Sequence, residues 1–158
     1  MTKYDDSSWH SEGNFPSGIP LENGATHIGY FLTWCIKNNM ISDFQLEENE
    51  DDVHRVLQHT MTGREFLLQN CDGKFTDEDL NEDGNAFASD YYNEESDFSK
   101  KVGSYLSNYE VAIQFFSQET GMVLETSYHL EDSWEFYEGI KIMLDERFSQ
   151  WKKFKKLD

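Results

Sequence analysis

Proline occurs twice and glycine ten times in 158 residues, too few turn formers for a disordered, collagen-like or linker-rich chain. The two cysteines, Cys35 and Cys71, lie far apart in sequence, which argues against a disulfide framework or a cysteine-pair zinc motif. Cys35 sits in an apolar run and reads as a small buried hydrophobe. No apolar stretch approaches the length of a membrane span. The start, MTKYDDSSWH, lacks the apolar core of a secretion signal. A cytoplasmic protein with no membrane partner is therefore expected. G-x-S-x-G, C-x-x-C, H-E-x-x-H and phosphate-cradling glycine loops are also missing. The chain is accordingly expected not to be an enzyme, and no catalytic residue, metal ligand or cofactor is assigned.

Basic residues are scarce too: 13 Lys and Arg stand against 31 Asp and Glu, a formal net charge of -18. The imbalance is local, because residues 43–97 hold 17 acids and three bases, Arg55, Arg64 and Lys74. A field of that sign repels nucleic acid and anionic lipid and draws in basic partners. The short basic run at the C-terminus, KKFKK, suits the negative end of a helix dipole better than a nucleic-acid site.

What the chain has in quantity is rings and helical periodicity. Aromatics make up 15% of the residues, and each buried ring removes a large area from water. The pattern predicts one mainly α domain over residues 1–158, a bundle of five to seven helices. Residues 1–22 carry Trp9, Phe15, Pro16 and Pro20 among turn formers and read as an irregular arm laid on the domain. Asn23 to Asn39 is the expected central helix, with Ile28, Phe31, Leu32, Cys35 and Ile36 at three-and-four spacing. Glu47–His59, Thr62–Asn70, Asn85–Asn93 and Ser96–Tyr109 are the next expected helices. The stretch 111–130 suits either a helix extension or a small β-hairpin. A long helix comes after it over 132–156, capped by Asp132 with Glu135 three residues on. Its stripe is Trp134, Tyr137, Ile140, Leu144, Phe148 and Trp151. Phe87, Tyr91, Tyr92, Phe98, Tyr105 and Tyr109 are read mostly as core.

Two constellations carry candidate chemistry. Asp79 to Asp90, DLNEDGNAFASD, places oxygens at calcium-loop positions one, three and five and Gly84 at six. Its last ligand would be Asp in place of the usual longer Glu, and its eighth position is Ala86, so an acidic turn between helices is the preferred reading. His27, in the central helix, and His129 read as hydrogen-bonded core histidines. His54 and His59 are five apart, a poor spacing for one metal. An alternative function, a small enzyme or metal-binding domain, would arise if the arm folded over the central helix and brought Trp9, His10, His27, His129 and Glu131 together.

Several short runs resemble a bacterial domain family of unknown function. They are Trp9-His10, Gly13-x-Phe15-Pro16, Leu21, and Asn23 to Gly29 (NGATHIG) with Phe31-Leu32-x-Trp34 beyond it. Asp79-Leu80-Asn81, Gly84 to Phe87, Tyr91-Tyr92, and Tyr128-His129-x-Glu131-Asp132-x-Trp134 with Tyr137 extend the match. The family is similar to immunity proteins that accompany secreted bacterial toxins, including toxins of contact-dependent inhibition and type VI secretion. The resemblance implies a cytoplasmic inhibitor whose partner is a cognate toxin, expected to be basic and nuclease-like. The acids expected to face that partner are Glu47, Glu48, Glu50, Asp51, Asp52, Asp77, Glu78, Asp79, Glu82 and Asp83. A general protein-interaction module is the remaining alternative.

Overall fold

A computed structural model describes residues 1–157. The chain is mainly α, with one small two-stranded antiparallel sheet. In order, the elements are β1 (Lys3–Asp6), α1 (Ser7–Ser11), α2 (Thr26–Lys37), α3 (Asp43–Glu48), α4 (Glu50–Leu57), α5 (Gly63–Asn70), β2 (Lys74–Thr76), α6 (Glu82–Tyr91), α7 (Asp97–Val102), α8 (Tyr105–Thr120) and α9 (Trp134–Phe154). Short 3-10 turns cover Leu21–Ala25, Asp77–Asp79 and Ser127–His129.

The expected central helix is α2, and every residue from Thr26 to Ile36 is buried. Such a helix needs apolar neighbours on all sides. It packs closely on α5, on α9 and on α4. The crossing with α5 is the tightest contact: Gly29 of α2 and Gly63 of α5 meet backbone to backbone. Thr33 completes this seam by donating to the Gly29 carbonyl, 2.7 Å away. Around Phe31 lie the rings of Trp34, Phe75, Phe87, Tyr92 and Tyr105, with centroids 5.0–6.2 Å away. The six aromatics expected in the core between Phe87 and Tyr109 are all buried.

Helix ends obey capping chemistry. Ser42, Asn81, Ser96 and Ser104 each accept from the backbone N–H three residues on. Thr62 and Glu65 form a reciprocal capping box. Several expected boundaries shift. The helix expected at Glu47–His59 breaks at Asn49 into α3 and α4. Ser96–Tyr109 breaks at Gly103, whose φ of 93° belongs to glycine, into α7 and α8. More and shorter helices result than the five to seven expected. Ser133, not Asp132, caps α9, because Asp132 turns inward toward Arg64, 3.4 Å from Nε to Oδ2.

The β pair is not where a hairpin was entertained. Residues 111–120 continue α8, and the connection from there to α9 is a loop with one 3-10 turn. The sheet instead joins β1 to β2, in the register Lys3↔Thr76, Asp5↔Phe75 and Asp6↔Lys74. Thus the first 22 residues are not irregular throughout. They begin with a strand and a helical turn that lie against the body of the protein.

Candidate functional site

Strand β1 points Asp5 inward, and Asp6 ends the strand by capping α1 through Ser8 N, 3.0 Å away. The turn of α1 then swings His10 over Asp5. His27 comes from the first turn of α2 and meets them from below. His10 Nε2 lies 2.6 Å from Asp5 Oδ1, and His27 Nε2 lies 3.0 Å from Asp5 Oδ2. The two Nε2 atoms are 3.2 Å apart, and the imidazole planes meet at 75°. Asp5 Oδ1 also accepts from the Asp6 backbone N–H at 2.8 Å. Tyr92 donates its hydroxyl to Asp5 Oδ2 at 3.1 Å. The far nitrogen of His10, Nδ1, lies 2.8 Å from the Tyr128 hydroxyl. Tyr105 fixes α2 by donating to the His27 carbonyl at 2.6 Å.

The packing sets the protonation states. Burial raises the Asp5 carboxyl, but the hydrogen bonds and positive character of His10 and His27 outweigh it and hold it well below the usual carboxylate range. Burial depresses His27, and the nearby His10 adds to this, while the Asp5 hydrogen bond and charge oppose. Tyr92 is pushed well up by burial and then by the Asp5 charge. Tyr128 is raised by burial, with Glu110 and Asp5 contributing. Near neutral pH Asp5 is therefore a carboxylate held by its two imidazole partners, with two phenols around it.

The arm does fold over the central helix, as one sequence alternative required, but it gathers a different set of residues. His10 and His27 converge. His129 does not: its Nδ1 pairs with Thr126 Oγ1 at 2.9 Å. Glu131 is exposed. Trp9 is 58% exposed and lies under the Lys3 ammonium. Of the other side chains in the cluster, the sequence did not single out Asp5, read Tyr92 as core, and marked Tyr128 only as part of a family-like run. The Asp5-Asp6 pair immediately before the helical turn carrying His10 was the available signal.

The acidic residues divide in two. Asp52 is buried. It accepts from Arg55 at 2.8 Å, Asn70 at 3.0 Å and Gln69 at 3.2 Å, tying α4 to α5. Asp79 is buried as well, and its oxygens accept from Thr76 N and Gln45 Nε2, each at 2.8 Å. Burial raises its carboxyl despite these bonds. Asp77 is half-buried and accepts from Thr2 N at 3.1 Å. Glu47, Glu48, Glu50, Asp51, Glu78, Glu82 and Asp83 are exposed. Among the described residues, none of these seven forms an ion pair. Glu47, Glu48, Glu50, Asp51 and Arg55 line a shallow groove where α3 meets α4. The apolar side chains of Phe44, Leu46 and Leu57 on the same two helices are also exposed.

The calcium-like run does not form a loop. Residues Glu82–Tyr91 are helical, Asn81 Oδ1 caps Gly84 N at 2.9 Å, and Asp79 is already satisfied. Among the described residues, the carboxylates of this run do not come together as a group of three potential metal ligands.

The fold and this Asp–His–His cluster define a small helical domain with a polar centre at the junction of its first strand and its central helix. The profile of a family described as a domain of unknown function (DUF7832) matches residues 3–124, and the chain belongs to that family. No curated protein and no solved structure matches the chain. Among the described residues, no helix is long and apolar enough to cross a membrane.

Proposed function

We propose that this domain is a protein-binding module, and that it works in the cytoplasm as an immunity protein that docks and neutralises a basic cognate toxin. The observation that carries this reading is the composition of the α3–α4 face. Phe44, Leu46 and Leu57 are exposed on these two helices, which also carry the carboxylates Glu47, Glu48, Glu50 and Asp51, none of them in an ion pair among the described residues. Exposed apolar and charged side chains on one pair of helices are the residue types from which a docking surface is built. The carboxylates would accelerate encounter with a basic partner, and the buried ring would supply most of the affinity. Glu78, Glu82 and Asp83 extend the same field from the first turn of α6 and the turn before it. Asp52 and Asp79 support this face from inside and are not contact residues.

The test is association with the product of the neighbouring gene, measured as rate and affinity over a range of salt. Reversing Glu47, Glu48, Glu50 and Asp51 together to lysine is expected to slow association at least tenfold at low salt and to flatten its salt dependence. Phe44→Ala is expected to accelerate dissociation by a factor of about 30, equivalent to about 2 kcal/mol. Absence of binding, or binding indifferent to the charge reversal, removes this reading.

A further inference from the structure

We propose that Asp5, His10 and His27 form a binding site for one divalent first-row transition ion of the zinc class. Three side chains from three different elements place one donor atom each within 4.8 Å of one another. The spacing is that of a first coordination shell. Two ligand atoms held about 2.0–2.1 Å from a tetrahedral ion lie about 3.3 Å apart. Here the two imidazole nitrogens are 3.2 Å apart, and each lies 2.6 or 3.0 Å from the carboxylate. A small outward shift of Asp5 brings all three into range of a common centre.

Without a cation, each Nε2–H can donate to its own oxygen of Asp5, at 2.6 and 3.0 Å. A cation at the centre would take the place of those two protons, with each imidazole in the tautomer protonated at Nδ1. Around His10 and Asp5 the surroundings have the form of an outer coordination shell, in which the second nitrogen of a metal-bound histidine and the carboxylate oxygens are held by further hydrogen bonds. Tyr128 takes the far nitrogen of His10, while Tyr92 and the Asp6 N–H hold Asp5.

Two nitrogens and one carboxylate select zinc, iron(II) or cobalt(II) over calcium and magnesium, which take oxygen ligands alone, and over copper(I), which takes sulfur. The side chains of Asp5 and His27 are 2% and 5% exposed, but that of His10 is 15% exposed. An ion would therefore enter past His10, and three protein ligands would leave one position for water or a substrate oxygen.

The experiment uses the full chain, stripped with a chelator and titrated with zinc chloride against a chromophoric competitor. Cobalt(II) substitution is monitored in the visible spectrum. One equivalent of zinc is expected to bind at micromolar affinity or tighter, with the cobalt form giving the intense bands of a four-coordinate ion. His10→Ala and His27→Ala are each expected to weaken zinc at least 100-fold, and Tyr128→Phe 10- to 100-fold. His27 is buried and its variant can fail to fold. His10 and Tyr128 lie on the open side, and their variants are expected to keep the far-UV circular dichroism and melting profile of the metal-free protein. Zinc should raise the melting temperature of the wild type and not that of His10→Ala. Failure to bind one equivalent at or below about 100-micromolar zinc overturns the proposal. So does binding that survives His10→Ala and is lost when Glu47, Glu48, Glu50 and Asp51 become amides.

Discussion

Gly29→Ala tests the packing on which the polar centre depends. A methyl group built on Gly29 would sit 2.7 Å from Arg64 Cα and 2.9 Å from the Gly63 carbonyl carbon, and nearer still to Arg64 N. All three atoms are backbone, so no rotamer change relieves the overlap, and α2 and α5 must move apart by roughly 1 Å to restore ordinary contact. Overpacking of this kind costs about 1–3 kcal/mol. Replacing glycine by alanine inside a helix returns about 1 kcal/mol. The displacement also strains the hydrogen bonds from Arg64 to Asn23 and Thr26 across the same seam. With those bonds included, the expected net loss is about 2–3 kcal/mol, or roughly 4–12 °C in Tm for a chain of this size. Gly139→Ala is the control. The three atoms nearest its methyl group all belong to the ring of Phe116, two of them 2.8 and 2.9 Å away and Cζ nearer still, and that half-buried ring can turn aside. A change within about 1 kcal/mol is expected there. Calorimetry on both variants decides the matter. A Gly29→Ala protein that melts within 1 °C of the wild type, or one that loses no more than Gly139→Ala, would refute the reasoning.

Stability should fall with pH in two stages. His27 is depressed in the folded state, so the unfolded chain binds its proton first and stability drops as pH falls below about 6.5; depressed Asp5 adds a second loss below about 4. Raised Asp79 and Asp132 act in the opposite sense, contributing stability that is present at low pH and lost as pH rises through their folded values. Urea midpoints at pH 7.5, 6 and 5 check this in a chain carrying Asp79→Asn and Asp132→Asn, which removes the two opposing groups, and a midpoint of that variant that rises on acidification from 7.5 to 6 contradicts it. Arg64→Met should cost about 2–4 kcal/mol, because it leaves Asp132 buried without its cation. Adding Asp132→Asn to that variant should recover part of the loss, and strict additivity of the two in a double-mutant cycle would deny the pairing. A chain ended at residue 124 loses the buried Leu130, Tyr137, Ile140, Leu144 and Trp151. At about 1.5–3 kcal/mol each, this rivals the whole stability of a domain, so no cooperative thermal transition is expected from it.

Much of the fold was legible because it rests on periodicity. The stripe from Trp134 to Trp151 and the all-apolar turn pattern of α2 admit one reading each. The local breaks were less legible. Asn49 and Gly103 interrupt helices whose apolar spacing runs on unbroken, so only cap geometry reveals them. Pairing of β1 with β2 joins residues about 70 positions apart, and strands of four and three residues leave almost no alternation to read. The acidic face was legible as charge but not as surface. Asp52 and Asp79 look like their neighbours in sequence, yet one ties α4 to α5 and the other caps a turn. The polar centre was half legible. His10 and His27 stand out as histidines, whereas Asp5 is one acid among 31 and is distinguished only by which way a short strand turns it.

The kind of partner each buried carboxylate has separates structure from chemistry. A carboxylate removed from water needs hydrogen-bond donors, and backbone N–H or side-chain amide groups supply them with no proton to lose. Asp79 is satisfied in this way by Thr76 and Gln45, and Asp52 by Gln69 and Asn70 together with an arginine. Each joins two elements and is explained by that joint. Asp5 has one backbone donor, and its remaining partners are two imidazoles and a phenol. These are bulky, titratable groups, a poor means of merely satisfying an acid that one amide would serve. One donor atom from each of Asp5, His10 and His27, moreover, lies within 4.8 Å of the others. A joint between strand and helix requires no such clustering of ligand atoms, and a bound ion would. That difference is why the ion site is proposed at the polar centre and not at the more conspicuous charge on the surface.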